Sequence, residues 1–110
     1  MESSLFDENL TQLTQLSAVK QKRKFRQLLK SFGPQVVQAI RQAVLNILHN
    51  DAVAKTLTAA NKRFIKRFSR KLRQLVDKKT TPIRQFKIIA AAGFQFLRQI
   101  LDIVKYYKDA

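Results

Sequence analysis

The sequence contains no cysteine and no tryptophan, and in 110 residues it has two glycines, two prolines, one histidine and seven acids. Each shortage excludes something. Without cysteine there is no disulfide, no thiolate metal site and no thiol nucleophile. Gly33 and Gly93 stand alone, so there is no glycine-rich phosphate loop. His49 has only Asp51 near it in sequence, too few partners for a metal site, and suits the C-terminal end of a helix. No serine or threonine has a base motif around it. The expectation is a protein that is not an enzyme, with no catalytic residue, metal or cofactor. Few helix breakers among many Leu, Gln, Lys, Arg and Ala predict helices throughout. Long apolar runs are missing too. Ile88 to Val104 is interrupted by Gln95, Arg98, Gln99 and Asp102, whereas a membrane span takes about 20 mostly apolar residues. The opening MESSLFDENL is acidic and lacks a cationic segment, which predicts no secretory signal peptide.

What the chain has is positive charge. Lys and Arg number 22, the net charge is +15, and half of the cations lie between Lys62 and Lys87 with Asp77 as the one acid among them. A folded chain so charged repels itself unless anions neutralise it, and DNA and RNA are the obvious polyanions. The apolar content of 45% argues against disorder. The length suits a single helical domain over 1–110 that buries about two-thirds of its unfolded surface.

Periodicity predicts an all-α, compact bundle of five or six short helices. Residues 1–8 are expected to fray, ahead of a weak pattern of Leu10, Leu13 and Leu16. Ser17 is the candidate cap of a helix over about 18–32 with Val19, Phe25, Leu28, Leu29 and Phe32 inside. Gly33-Pro34 marks a boundary, since Gly suits the position after a helix and Pro the first turn of the next. Pro34 to His49 has the clearest core stripe (Val36, Val37, Ile40, Ala43, Val44, Ile47, Leu48) and is expected at the centre, with Arg41 its only charge. Residues 52–57 read as a connection anchored by Val53 and Leu57. Thr58 caps a basic amphipathic helix within 58–79. Thr80-Thr81-Pro82 repeats the cap-and-proline grammar and opens a helix that puts Ile83, Phe86 and either Ile89 or Ala90 on one face. Gly93 is read as a break before a C-terminal amphipathic helix over 94–108. No sequence repeat is evident.

The basic helix carries the functional reading. Phe64, Ile65, Phe68, Leu72, Leu75 and Val76 recur at helical spacing on one side. Lys62, Arg63, Lys66, Arg67, Arg70, Lys71 and Arg73 cover the other, followed by Lys78 and Lys79. An ordinary solvated helix mixes signs and gains from i,i+4 pairs, whereas like charges such as Lys62–Lys66 and Arg63–Arg67 cost a few tenths of a kcal/mol, roughly, each. A one-signed face points to an anion, and the expected contact is with phosphate, without base reading. Lys20, Lys22, Arg23, Lys24 and Arg26 form a second strip that allows neighbouring duplexes to be bridged. Tyr106 and Tyr107 offer rings for base stacking, although a partly buried helix end is the plainer use for them. Two other classes stay open. A cationic helix beside the apolar Ile88–Leu97 segment also suits a membrane surface, and a basic protein can cement an acidic protein shell. The apolar girth of Phe94–Tyr107 hints at a homo-oligomer.

Four segments in order, Lys20–Leu29 (KQKRKFRQLL), Val44–Asn50 (VLNILHN), Arg70–Lys79 (RKLRQLVDKK) and Phe86–Leu97 (FKIIAAAGFQFL), give the chain a wider likeness. Over roughly residues 10–97 it resembles the small basic virion-associated proteins of Maverick/Polinton-type elements and adenovirus-like animal DNA viruses. The resemblance implies a viral protein that accompanies packaged DNA, located in the virion or host nucleus, with a capsid protein as a further partner. The chain departs from that pattern at its end. It has one glycine, Gly93, where the family tends to have two, no proline after Phe94, and a polar-faced tail with Arg98, Gln99, Asp102 and Lys105. These departures weaken a membrane-active reading and strengthen a core-forming one for the tail.

Overall fold

Eight helical segments make up the computed structural model, which describes residues 5–109, with side chains through Lys105: α1 (Leu5–Glu8), α2 (Leu10–Ser17), α3 (Lys22–Phe32), α4 (Pro34–His49), α5 (Asp51–Ala54), α6 (Ala59–Arg67), α7 (Ser69–Val76) and α8 (Pro82–Asp109). The fold is all-α, with no strand among the described residues. The cap grammar holds at several joints. Thr58 and Asn61 exchange side-chain-to-backbone hydrogen bonds in a capping box at α6. The Thr81 hydroxyl accepts from the Arg84 N–H at the start of α8, and Pro34 fills the first turn of α4.

The segments outnumber the expected helices for local reasons. Ser17 does not cap α3: its hydroxyl donates to the Thr14 carbonyl within α2. Short bonds from Ala18 and Val19 back to Gln15 and Leu16 then close α2, and Gln21 opens α3. Lys20 therefore sits in the connection between α2 and α3. The basic helix within 58–79 is two helices. Phe68 has φ −102° and ψ 14°, which bends the axis between α6 and α7. The ring of Phe68 packs between Phe64 and Phe96, at centroid distances of 5.1 and 5.5 Å. With the bend, α6 lies on α8 while α7 reaches both α4 and α8. Of residues 52–57, read as connection, the first three join Asp51 in the single turn α5, where the Asn50 side chain accepts from the Ala52 N–H and Val53 enters the core as expected. At the amino end, α1 places Phe6 in the core, and residues 1–4 lie outside the described residues.

Although no repeat is evident in the sequence, the backbone contains one. Gly93 splits α8 into Pro82–Ala92 and Phe94–Asp109, the same lengths as α3 and α4. The glycines between them share a conformation, φ 87° and ψ −176° at Gly33 and φ 80° and ψ −169° at Gly93, a region essentially reserved for glycine. The preceding joint repeats as well. Asn9, between α1 and α2, has φ −109° and ψ 15°, close to the values at Phe68 between α6 and α7. The buried positions follow suit. Leu13 and Leu16 of α2 match Leu72 and Leu75 of α7, and Val36, Val37, Ile40, Ala43 and Val44 of α4 match Phe96, Leu97, Ile100, Ile103 and Val104.

The two halves interlock. Within each, the first segment lies on the last helix, α1 on α4 and α6 on α8. Between them partners are exchanged: α2 packs on α8, α7 packs on α4, and α4 and α8 pack on each other at the centre. The Cα radius of gyration is 13.1 Å, near the roughly 13 Å of a compact domain of this length. Polar groups inside are mostly answered. Gln85 is buried, donates to the Thr80 carbonyl and accepts from Gln38 at 2.8 Å. Arg41 donates to the carbonyl of Val76, the last residue of α7, where a cation complements the helix dipole. The Arg41 Nε is left without a partner.

Candidate nucleic-acid interface

Amphipathic spacing turns α6 and α7 so that one side joins the core and the other meets water. Phe64, Leu72 and Leu75 are buried, and Ile65, Phe68 and Val76 are partly buried against the same core. Lys62, Arg63, Lys66, Arg67, Arg70, Arg73, Lys78 and Lys79 are exposed, and Lys71 is half-buried. Among the described residues none of these cations forms a salt bridge to a carboxylate. Asp77, the one acid between Lys62 and Lys87, accepts from the Lys79 backbone N–H at 2.9 Å and so serves the turn after α7.

Phe68 organises part of that face. The Arg67 guanidinium lies 5.5 Å and the Lys71 ammonium 5.8 Å from its ring centroid. A ring attracts a cation over its face, which steadies these two heads without neutralising them. Next to them runs a groove of about 660 Å³ between α6 and the second half of α8. Arg63 and Arg67 line one wall and Gln95, Arg98 and Gln99 the other, with Asp102 at the end and Phe64 and Phe68 at the base. Guanidinium forks suit phosphate oxygens, and the two glutamine amides add donors.

Arg98 and Gln99, which the sequence places on the polar face of the tail, belong to the site by position, as does Gln95, which interrupts the apolar run from Ile88 to Val104. The signal was present: Gln95, Arg98, Gln99 and Asp102 sit at helical spacing opposite the core positions Phe96, Leu97, Ile100 and Ile103. Sequence alone does not say that this face lies beside α6.

The second strip is separate. Lys22, Arg23, Lys24 and Arg26 project from α3, which packs on α2, α4 and α8, whereas α6 packs on α7 and α8. All four are exposed, as is Lys20 in the connection before them. Arg26 stacks 6.0 Å from the Phe86 centroid. The structure thus gathers two cationic regions and does not merge them. Tyr106 and Tyr107 fall outside the described side chains.

Two other features bear on the competing classes. No described helix is long and apolar enough to cross a membrane. Within the Ile88–Leu97 segment, Ile89, Ala90, Phe96 and Leu97 are buried, so its greasy side is committed to the core. Among the described residues no three of His, Cys, Asp and Glu gather as a metal site. Comparison with protein-family models, curated proteins and solved structures gives no match.

Proposed function

We propose that this protein binds nucleic acid through its phosphates, without reading base sequence, and that its natural ligand is double-stranded DNA in a condensing or packaging role. The observation that carries the reading is the one-signed face of α6 and α7, whose Lys and Arg heads have no carboxylate partner among the described residues and continue into a groove walled by Arg63, Arg67 and Arg98. Size agrees with the reading. The long dimension of the molecule is 35 Å, roughly one turn of B-DNA, over which the duplex presents about 20 phosphates. The strip of Lys20, Lys22, Arg23, Lys24 and Arg26 then engages a neighbouring duplex, and a virion, the setting implied by the resemblance, is where duplexes lie that close.

The test is a salt titration of binding to duplexes of unrelated sequence. With about eight phosphates contacted, the logarithm of affinity falls against the logarithm of salt with a slope near −7. Affinity that tracks base sequence, or that ignores salt between roughly 50 and 200 mM, overturns the proposal. Single-stranded RNA and anionic vesicles run in parallel, and tighter binding to either transfers the function to that partner.

A further inference from the structure

The two halves differ most where α3 and the first part of α8 correspond. Sixty residues after Lys22, Arg23 and Arg26 stand Pro82, Ile83 and Phe86. The spacing puts Ile83 on one apolar face with Phe86 and either Ile89 or Ala90, yet Ile83 is 70% exposed, and the buried side runs through Gln85, Ile89 and Ala90. Ile83 and Phe86 line a cleft of about 420 Å³ whose other wall is the α3–Gly33–α4 corner, including Leu29 and Val37. Arg26, Lys30 and Lys87 rim it. The apolar lining is thus edged by three cations, with no carboxylate among its residues.

We propose that this cleft docks a short acidic amphipathic segment of a partner protein, with apolar side chains between the walls and carboxylates on Arg26, Lys30 and Lys87. The charge of the rim selects the sign of the partner, and the lining selects its side chains. Phosphates alone leave Ile83 and Phe86 wet. The volume, at the small end of the roughly 300–1,000 Å³ of ligand pockets, suits a few side chains rather than a broad face. The site lies apart from the DNA-binding face on α6 and α7 but shares Arg26 with the second strip, so an acidic segment bound there competes with a neighbouring duplex.

The experiment titrates two fluorescent peptides of equal charge, one with Leu and Phe among Glu residues and one with Ser in their place, and maps amide shifts. Burial of a large side chain predicts about tenfold or more tighter binding of the apolar peptide. Ile83→Asp, at an exposed position, abolishes that advantage with helicity retained and affinity for a single duplex within about twofold, since it alters no residue of the α6 and α7 face. Lys30→Glu with Lys87→Glu weakens both peptides. Equal binding of the two peptides, or shifts centred on Arg63 and Arg98, refutes the proposal. So does an oligomer of the wild type that Ile83→Asp dissociates, because the occupant is then a second copy.

Discussion

The halves of this molecule share a backbone and a core but not a charge pattern. Gly33 and Gly93 bend the chain alike, and the buried positions of α2 and α4 reappear in α7 and the second part of α8. The surface does not follow. In the first half the cations crowd onto α3, and α1 and α2 carry only the acids Asp7 and Glu8. In the second half they crowd onto α6 and α7, and the counterpart of α3 exposes Ile83. One fold thus accommodates both surfaces. The positive face of α6 and α7 is therefore not a requirement of folding, because α1 and α2 hold the equivalent places without it. Charge that folding does not need, and that repels itself along the helix, is the ground on which a polyanionic ligand is proposed.

The deepest test of the shared core is a matched pair. Leu13→Ala and Leu72→Ala truncate fully buried side chains at corresponding positions, and each should lower stability by about 2–5 kcal/mol in chemical denaturation. Because α2 leans on α8 and α7 on α4, both should weaken the whole molecule in one cooperative transition. Two separate transitions would show that the halves fold independently and that the interlock is weak.

The contrast in charge breaks differently. Changing Lys66, Arg67, Arg70 and Lys71 together to Glu should cut DNA affinity by about a hundredfold or more, read by fluorescence anisotropy. Stability should fall by about 1–2 kcal/mol at most, since the change removes the Arg67 and Lys71 contacts with the Phe68 ring and, among the described residues, breaks no salt bridge. The same number of reversals at Lys22, Arg23, Lys24 and Arg26 should weaken binding to a single duplex less and suppress aggregation of long DNA, measured by light scattering. Equal losses of single-duplex affinity would mean that the two strips act as one surface.

Much of this was legible in the sequence, and the exceptions have physical causes. The stripe of α4, the Gly33-Pro34 corner, the Thr58 cap and the sidedness of α6 and α7 are all local: period, cap and breaker suffice. The bend at Phe68 was hidden because the periodicity runs through it, and only the ring of Phe96, far off in sequence, makes the bend useful. Ile83 was misplaced for a similar reason. Its side of α8 looks apolar, but Gln85 takes the inward position, where Gln38 and the Thr80 carbonyl satisfy its amide. Arg98 joined the groove through the neighbouring helix, which no local pattern reports. The repeat escaped notice because burial is conserved across it while residue identity is not, as Phe25 against Gln85 illustrates.

The glycines sharpen the comparison on a smaller scale. A Cβ added at Gly33 or Gly93 meets nothing within 4 Å, so an alanine there is opposed by backbone conformation alone. Each of Gly33→Ala and Gly93→Ala should cost about 1–3 kcal/mol in thermal or chemical unfolding. If the corners are equivalent, the two values should agree. A much smaller loss at Gly93 would mean that α8 straightens into one continuous helix, which alanine favours and which the covalent ring of Pro34 makes harder at the other corner.

The smallest difference lies at the start of the second half. Thr58 caps α6 with its hydroxyl, and Asn61 reaches back to the Thr58 N–H at 3.1 Å. The α2, α3 and α4 helices of the first half begin without a side-chain cap. Thr58→Ala should therefore cost about 1 kcal/mol, and hydrogen exchange should speed up first at Asn61 and Lys62. Because α6 carries no acid in its first turn and ends in Lys66 and Arg67, loosening its start should spread toward Arg63 and lower DNA affinity slightly, by about twofold. Duplex added before exchange should restore protection at Asn61, since a ligand that binds the ordered helix stabilises it by mass action. Protection that fails to return would place the bound phosphates beyond the bend, on α7 alone.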